Sequence, residues 1–205
     1  MENHAETQIP IHELIRRRWS SRAFSEQPVE SDNLLSLLEA ARWAPSSRNE
    51  QPWAFLVATK DNPELYEALA GVLMDSNRAW AANAPVLILT MGHTRLEKDG
   101  QPNRHALHDL GQATANLILQ ATSLGLATHQ MGGFHANAAR ERFAIPEGWE
   151  PVSVIALGYP GNAELLPEPL RERETAQRRR KPLKEFVFSG TWGHPAPILD
   201  SSEKK

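Results

Sequence analysis

The 205-residue chain contains no cysteine. That excludes together a disulfide framework, a thiol nucleophile, an iron–sulfur cluster and a cysteine-ligated zinc site. Any redox chemistry must therefore run on a bound cofactor. Long apolar runs are missing as well: "APVLIL" is typical, far short of the roughly 20 residues that a membrane span requires. The opening "MENHAETQIP" has no apolar core of the kind that marks a secretory signal. These absences predict a soluble, cytoplasmic protein. Neither G-x-G-x-x-G nor G-x-x-x-x-G-K-[ST] occurs, so a Rossmann nucleotide site and a P-loop lack support. There is no G-x-S-x-G elbow for acyl transfer. An excess of positive charge is also absent, with 22 Lys and Arg against 25 Asp and Glu, which argues against coating nucleic acid or a membrane surface.

What is present suits one well-buried domain, with 40% hydrophobic residues and no internal repeat. Residues 1–8 are expected to be disordered, 9–194 to form a single domain and 195–205 to be a flexible tail. Ile11, Leu14 and Ile15 mark a short helix with a basic last turn, where positive charge suits the helix dipole. Ser31 is the expected N-cap of a helix carrying Leu34, Leu38 and Ala41, stopped by Pro45. "AFLVAT" (54–59) and "PVLILTMG" (85–92) read as buried strands, with "NPELYEALAGVLM" as one helix between them. The strongest periodicity runs over 105–125, where Leu107, Leu110, Ala113, Leu117, Ala121 and Leu124 keep helical spacing and Gly125 stands at the C′ position. On that helix Gly111, Ala113 and Ala115 leave room for another backbone. "LATHQMGGF" (126–134) reads as a strand entering a glycine turn, "NAARERF" as a short helix and "EPVSVIALGYP" (150–160) as another strand. Strands and helices alternate imperfectly, which fits a mixed α/β or α+β layered domain.

Four stretches could carry chemistry. In "RRRWSSRAF" (16–24), Arg18, Ser20 and Arg22 alternate, so on an extended backbone two guanidinium forks and a hydroxyl point the same way, a set that fits a phosphate; a solvated basic helix end is the plainer reading. In "APSSRNEQPW", Pro45 and Pro52 stiffen a loop whose Ser46, Ser47, Asn49 and Gln51 could read the edge of a heterocycle, or simply cap a turn. In "HQMGGF", Gly132 and Gly133 permit close approach of a flat ligand, although a tight turn explains them equally. In "RERETAQRRRKPLKEF", the alternating Arg171 to Glu174 read as a solvated strip, whereas Arg178 to Lys181 form an unrelieved basic run before Pro182. His105, His108 and Asp109 share a helix segment but lack the usual spacing of metal ligands, and no metal is assigned.

Taken in order, these stretches resemble the nitroreductase family of FMN-dependent oxidoreductases, from about Ile11 to Phe188. "RRRWSSRAF" is similar to the family's R-x-S-x-R segment, "APSSRNEQPW" to its A-P-S-x-x-N-x-Q-P-W loop, "GLATHQMGGF" to its G-L-x-x-x-x-M-G-G strand and "RRRKPLKEFV" to its basic C-terminal motif. The resemblance implies an α+β fold in three α/β/α layers, with a central, mostly antiparallel sheet and a homodimer that exchanges C-terminal segments. It implies FMN as cofactor, with Arg18, Ser20, Arg22, Arg178 and Arg180 on the phosphate and the pyrimidine side of the ring. Pro45, Ser46, Ser47 and Asn49 are implied to come from the neighbouring subunit, Gln51 to be a further cofactor contact, and Met131, Gly132 and Gly133 to pass the isoalloxazine. Trp19, where relatives often have a basic or small residue, is included as a packing or backbone contact. The implied reaction is ping-pong: NADH or NADPH gives hydride to the flavin, and a nitroaromatic, quinone or related small molecule removes the electrons. No side chain is named as a catalytic acid or base. A flavin store without turnover, and a dehalogenating or flavin-cleaving enzyme of the same fold, are the competing readings.

Overall fold

The computed structural model describes residues 3–201. Residues 202–205 of the expected tail lie outside the described residues, as do 1 and 2. Four strands, β1 (Trp53–Thr59), β2 (Val86–His93), β3 (Ala127–Met131) and β4 (Trp149–Gly158), form one sheet in the order β1-β2-β4-β3. Every pairing is antiparallel. The helices are α1 (Glu13–Arg17), α2 (Ser31–Arg42), α3 (Pro63–Gly71), α4 (Asp75–Ala81), α5 (Ala106–Ser123), α6 (Ala136–Arg142) and α7 (Glu168–Thr175).

Side-chain alternation along the central strands builds two cores. Val86 and Ile88 of β2, with Ile155 and Leu157 of β4, face α2 and α5, where Leu37, Ala41, Ala113, Leu117 and Ala121 close the layer. Leu87, Leu89, Val154 and Ala156 point the other way, onto Tyr66, Leu69 and Trp80 of α3 and α4. Apolar residues on both faces explain why β2 reads as a continuous apolar run, and they give the α/β/α layering. Between Thr90 and Met91 the β2–β4 register shifts, and Met91 then faces Pro151, which has no N–H to offer the ladder. Thr90 and Ser153 bridge the irregularity through their hydroxyls, 2.9 Å apart.

Several expectations are corrected. Glu30, not Ser31, occupies the N-cap of α2, and no side chain caps it. The single helix expected over 62–74 is two: Asn62 caps α3 by accepting from the Leu65 amide at 3.2 Å, and after Val72 to Met74 the chain restarts as α4. β1 is a half-buried edge strand, with only Ala58 fully buried. Gly125 does follow α5 in the left-handed region, at φ +75°. Ala113 packs against α2, whereas the missing side chain of Gly111 would point into open space. Residues 3–5 are tied down by hydrogen bonds, among them the Ala5 amide to the Arg16 carbonyl at 2.8 Å. Among the described residues no helix is long and apolar enough to cross a membrane.

Candidate functional site

The arginines divide into two groups. Arg18, just past the C-terminus of α1, faces Arg178 and Arg180 from the segment after α7 across a cleft of about 530 Å³. Burial, then the charges of Arg178 and Arg180, lower the basicity of the Arg18 guanidinium. Arg178 Nη1 is anchored to the carbonyls of Asn3 and Arg16, at 2.9 and 3.0 Å. Arg18 Nη1 reaches Ser20 Oγ at 3.4 Å. Among the described residues, no carboxylate forms an ion pair with Arg18, Arg22, Arg178 or Arg180. Like charges gathered in a partly desolvated cleft repel, so the arrangement favours an anion between them.

Arg22 and Ser20 do not line that cleft. Ser20 pairs with Thr128 as a parallel bridge, which lays this segment along β3. The Arg22 guanidinium carbon lies 5.8 Å from the ring centre of the buried Trp80, which also meets the His129 ring at 4.5 Å and the Phe24 ring at 6.5 Å. His129 Nδ1 is 3.1 Å from the Ser21 carbonyl, which can only accept, so this nitrogen carries the proton. Burial, then the Arg22 charge, pushes His129 down to about 4 from its ordinary 6.5. Unfolded, the imidazole takes up its proton near 6.5; folded, it does so near 4. The unfolded state therefore binds more protons between these values, and stability falls as pH drops through that window. Thermal melts across it are expected to show wild type losing roughly 1–3 kcal/mol more than His129→Phe.

The loop from Pro45 to Gln51 contains a tight turn over Ser47–Asn49, with Arg48, Asn49 and Gln51 in the left-handed region at φ 55°, 60° and 48°. Three non-glycine residues held there represent stored backbone strain, which marks functional loops more often than others. The loop is fixed from beneath: Asp109 of α5, 2% exposed, accepts from the Ser47 amide at 2.9 Å through Oδ2. Its Oδ1 lies 3.1 Å from His108 Nδ1. Ser46 Oγ accepts from the Gln51 amide at 3.0 Å. Pro45, Asn49 and Gln51 are exposed, and none of this loop lines the arginine cleft.

At the end of β3, Met131 is buried while Gly132 is exposed. The Gly133 carbonyl accepts from the Met74 amide at 3.1 Å and from Asn77 Nδ2 at 3.0 Å, so the start of α4 holds the glycine turn. Trp19 is half-buried beside Asn3 and Pro160, away from the cleft.

The sequence reading missed Asp109 as a backbone anchor, Asn77, Trp80, His129 and above all Glu174. Asp109 and Glu174 are the buried carboxylates among the described residues. Each holds the main chain of a stretch singled out from sequence. Asp109 carries no signal of its own in residue type or spacing, since it stands outside the stripe of Leu107, Leu110 and Ala113. Nor does Glu174, whose place one helical turn beyond Leu170 tells only once Leu170 is seen packed on the core.

The profile of the nitroreductase family matches residues 15–159. The chain belongs to the nitroreductase family. Among its nitroreductase relatives is a Methanothermobacter thermautotrophicus protein provisionally named NADH dehydrogenase/NAD(P)H nitroreductase, 33% identical over 158 residues, or 75% of this chain and 79% of the relative. A solved structure described as an oxidoreductase containing FMN is 34% identical and superposes with a TM-score of 0.88, covering 94% of this chain and 98% of that one. A nitroreductase family protein from Clostridium difficile 630 is 29% identical, with a TM-score of 0.68 over 89% of this chain and 99% of its own.

Proposed function

We propose that this nitroreductase is an FMN-dependent oxidoreductase that takes hydride from NADH or NADPH and passes the electrons to a nitroaromatic, quinone or related acceptor in a ping-pong cycle. The observation that carries this reading is the cleft in which Arg18, Arg178 and Arg180 converge with no carboxylate paired to them among the described residues. A phosphate monoester, with a charge of about −1.5 to −2 and three acceptor oxygens, fits that donor set. FMN, when bound, supplies the hydride and electron chemistry that a cysteine-free chain cannot.

The chain's own part is to bind and orient. Arg18, Arg178 and Arg180 would hold the phosphate, with Ser20 beside them. Arg22, braced on Trp80, would present positive charge to the pyrimidine side of the ring, where it favours the more negative reduced form. The exposed Gly132 and the anchored Gly133 would let the flat ring approach the backbone at the end of β3.

The polar loop from Pro45 to Gln51 would serve the site of a second copy, giving a homodimer with C-terminal segments exchanged. Two features support this: the loop is fixed by Asp109 yet absent from the cleft of its own chain, and Trp43, Phe186 and Trp192 are left exposed.

The test is a visible spectrum of protein mixed with FMN and passed through gel filtration, recorded anaerobically before and after NADPH, then NADH. Flavin bands are expected to co-elute with a dimer and to bleach on adding a nicotinamide, then to recover with a quinone or nitroaromatic. Protein that elutes colourless would remove the FMN assignment. Bands that neither nicotinamide bleaches would make the protein a flavin store.

A further inference from the structure

Glu174 has no place in the chemistry proposed above, yet its side chain is among the most completely enclosed polar groups of the molecule, 3% exposed. It lies in α7, within a run of alternating Arg and Glu whose other members are solvated or half-exposed. A buried carboxylate without partners is expensive, so its surroundings show what it is for. Oε1 accepts from the Ser21 hydroxyl at 2.6 Å and from the Ala23 amide at 3.2 Å. Both oxygens accept from the Arg22 amide, at 3.1 and 2.9 Å. Every one of these donors belongs to a three-residue stretch of main chain that includes Arg22. Among the described residues no lysine or arginine forms an ion pair with Glu174. The carboxylate is thus satisfied by backbone dipoles and one hydroxyl, and the guanidinium forks nearby stay available to another anion.

The main chain of the same residue starts the other half of the cleft. Asn3 Nδ2 donates to the carbonyls of Glu174 and Ala176, at 3.4 and 3.2 Å. The Asn3 carbonyl in turn accepts from Arg178 Nη1 at 2.9 Å. The side chain of Glu174 therefore clasps the segment between Arg18 and Phe24, while two residues further on the chain becomes the arm that carries Arg178 and Arg180.

We propose that Glu174 is a positioning residue for the anion cleft, a latch that fixes the C-terminal arm against the Arg18–Arg22 segment so that all three cleft arginines converge before any ligand arrives. The latch rests on the FMN reading only for the identity of the anion. Preorganisation is the physical gain: with the arm docked, binding need not order it, and like-charged side chains are held together by contacts other than the ligand. When the carboxylate is removed, the Arg22 amide is left without an acceptor, the Ser21 hydroxyl keeps only the Ala23 carbonyl at 3.1 Å, and the arm loses its attachment to the segment.

The test compares the full chain with Glu174→Ala, Glu174→Gln and Ser21→Ala, reading amide hydrogen exchange over 21–23 and over the last turn of α7, 172–175, with and without FMN, and titrating FMN by fluorescence quenching. Glutamine keeps one acceptor oxygen but turns an NH2 toward a donor, so it is expected to fall between wild type and alanine. Exchange is expected to quicken at least tenfold in both segments together in Glu174→Ala, while amides of α5 around Leu117 keep wild-type protection. The FMN dissociation constant should rise at least tenfold in Glu174→Ala, and less in Glu174→Gln and Ser21→Ala.

Should Glu174→Ala fail to fold, the graded pair Glu174→Gln and Ser21→Ala decides the matter. Loosening of 21–23 with 172–175 unchanged, or wild-type exchange in both segments, overturns the latch. Joint loosening in a protein whose wild type binds no FMN upholds the latch and removes the flavin reading instead.

Discussion

Arg18→Ala is expected to raise the FMN dissociation constant by about one to two decades, on the order of 1.5–3 kcal/mol for a charge-assisted bond, while leaving the cofactor-free protein as stable as wild type or more so. The opposite directions follow from one geometry. Arg18 is the most desolvated of the cleft arginines, and its basicity is lowered by burial first and then by the charges of Arg178 and Arg180. Without an anion these like charges face each other, and deleting one relieves both the repulsion and the desolvation. With FMN bound, the same deletion removes a guanidinium from the phosphate. Binding titrations and thermal melts of Arg18→Ala, run beside Arg180→Ala, check both directions. Arg22→Ala tests the division of roles: Arg22 leans on Trp80 rather than into the cleft, so its loss is expected to weaken FMN binding while leaving inorganic phosphate binding near wild type. Equal FMN affinity in all three variants and wild type would show that the cleft does not take the phosphate.

Gly161→Ala is expected to be the most damaging of the single-methyl additions, costing about 3 kcal/mol or more and most of the soluble protein. A Cβ on Gly161 would stand 2.5 Å from both the carbonyl carbon and the oxygen of Phe24, and 2.9 Å from its nitrogen. These are backbone atoms and cannot rotate away. They also belong to the strand-like pairing that holds the chain just after Arg22: Gly161 donates to the Ala23 carbonyl at 2.9 Å, and Ser25 to the Tyr159 carbonyl at 2.9 Å. Gly133→Ala makes the contrast. Its Cβ would meet the amide of Asn77 at 2.5 Å, the end of a side chain that can swing aside, so stability should fall much less. Urea melts of the two variants side by side measure the difference; equal midpoints would mean that the Phe24 backbone yields where the geometry says it cannot.

The layering of the fold was legible because β2 and β4 carry apolar residues on both faces and α5 keeps a long helical period, signals that a short window of sequence contains. The break between α3 and α4 was not legible. "GVLMD" has no proline and continues the apolar spacing, and the helix stops there because Met74 turns its amide to the Gly133 carbonyl, a partner about 60 residues away in sequence. The expected N-cap at Ser31 failed by one position for a similar reason: Glu30 is held by Tyr159, whose hydroxyl donates to its carboxylate at 2.7 Å. In the site, residue type and order singled out the side chains with ligand-binding chemistry. The residues that hold them were not, since Glu174 and Asp109 are chemically ordinary acids until burial singles them out. The alternation of Arg18, Ser20 and Arg22 predicted one shared direction, whereas Arg22 turns aside over the Trp80 ring.

The parallel bridge between Ser20 and Thr128 has a consequence for how the protein behaves in the cell. β3 is an outer strand of the sheet, and Ser20 bridges it at Thr128, while Phe24 pairs with Pro160 just past the end of β4. An uncovered outer strand offers its free N–H and C=O groups to any other chain that can pair with them. The segment that carries Arg18 and Arg22 is therefore also a cap on this edge at Thr128. On the FMN reading proposed above, protein made under riboflavin starvation should aggregate more as that cap lifts from Thr128, and riboflavin supply during expression should govern yield as well as colour.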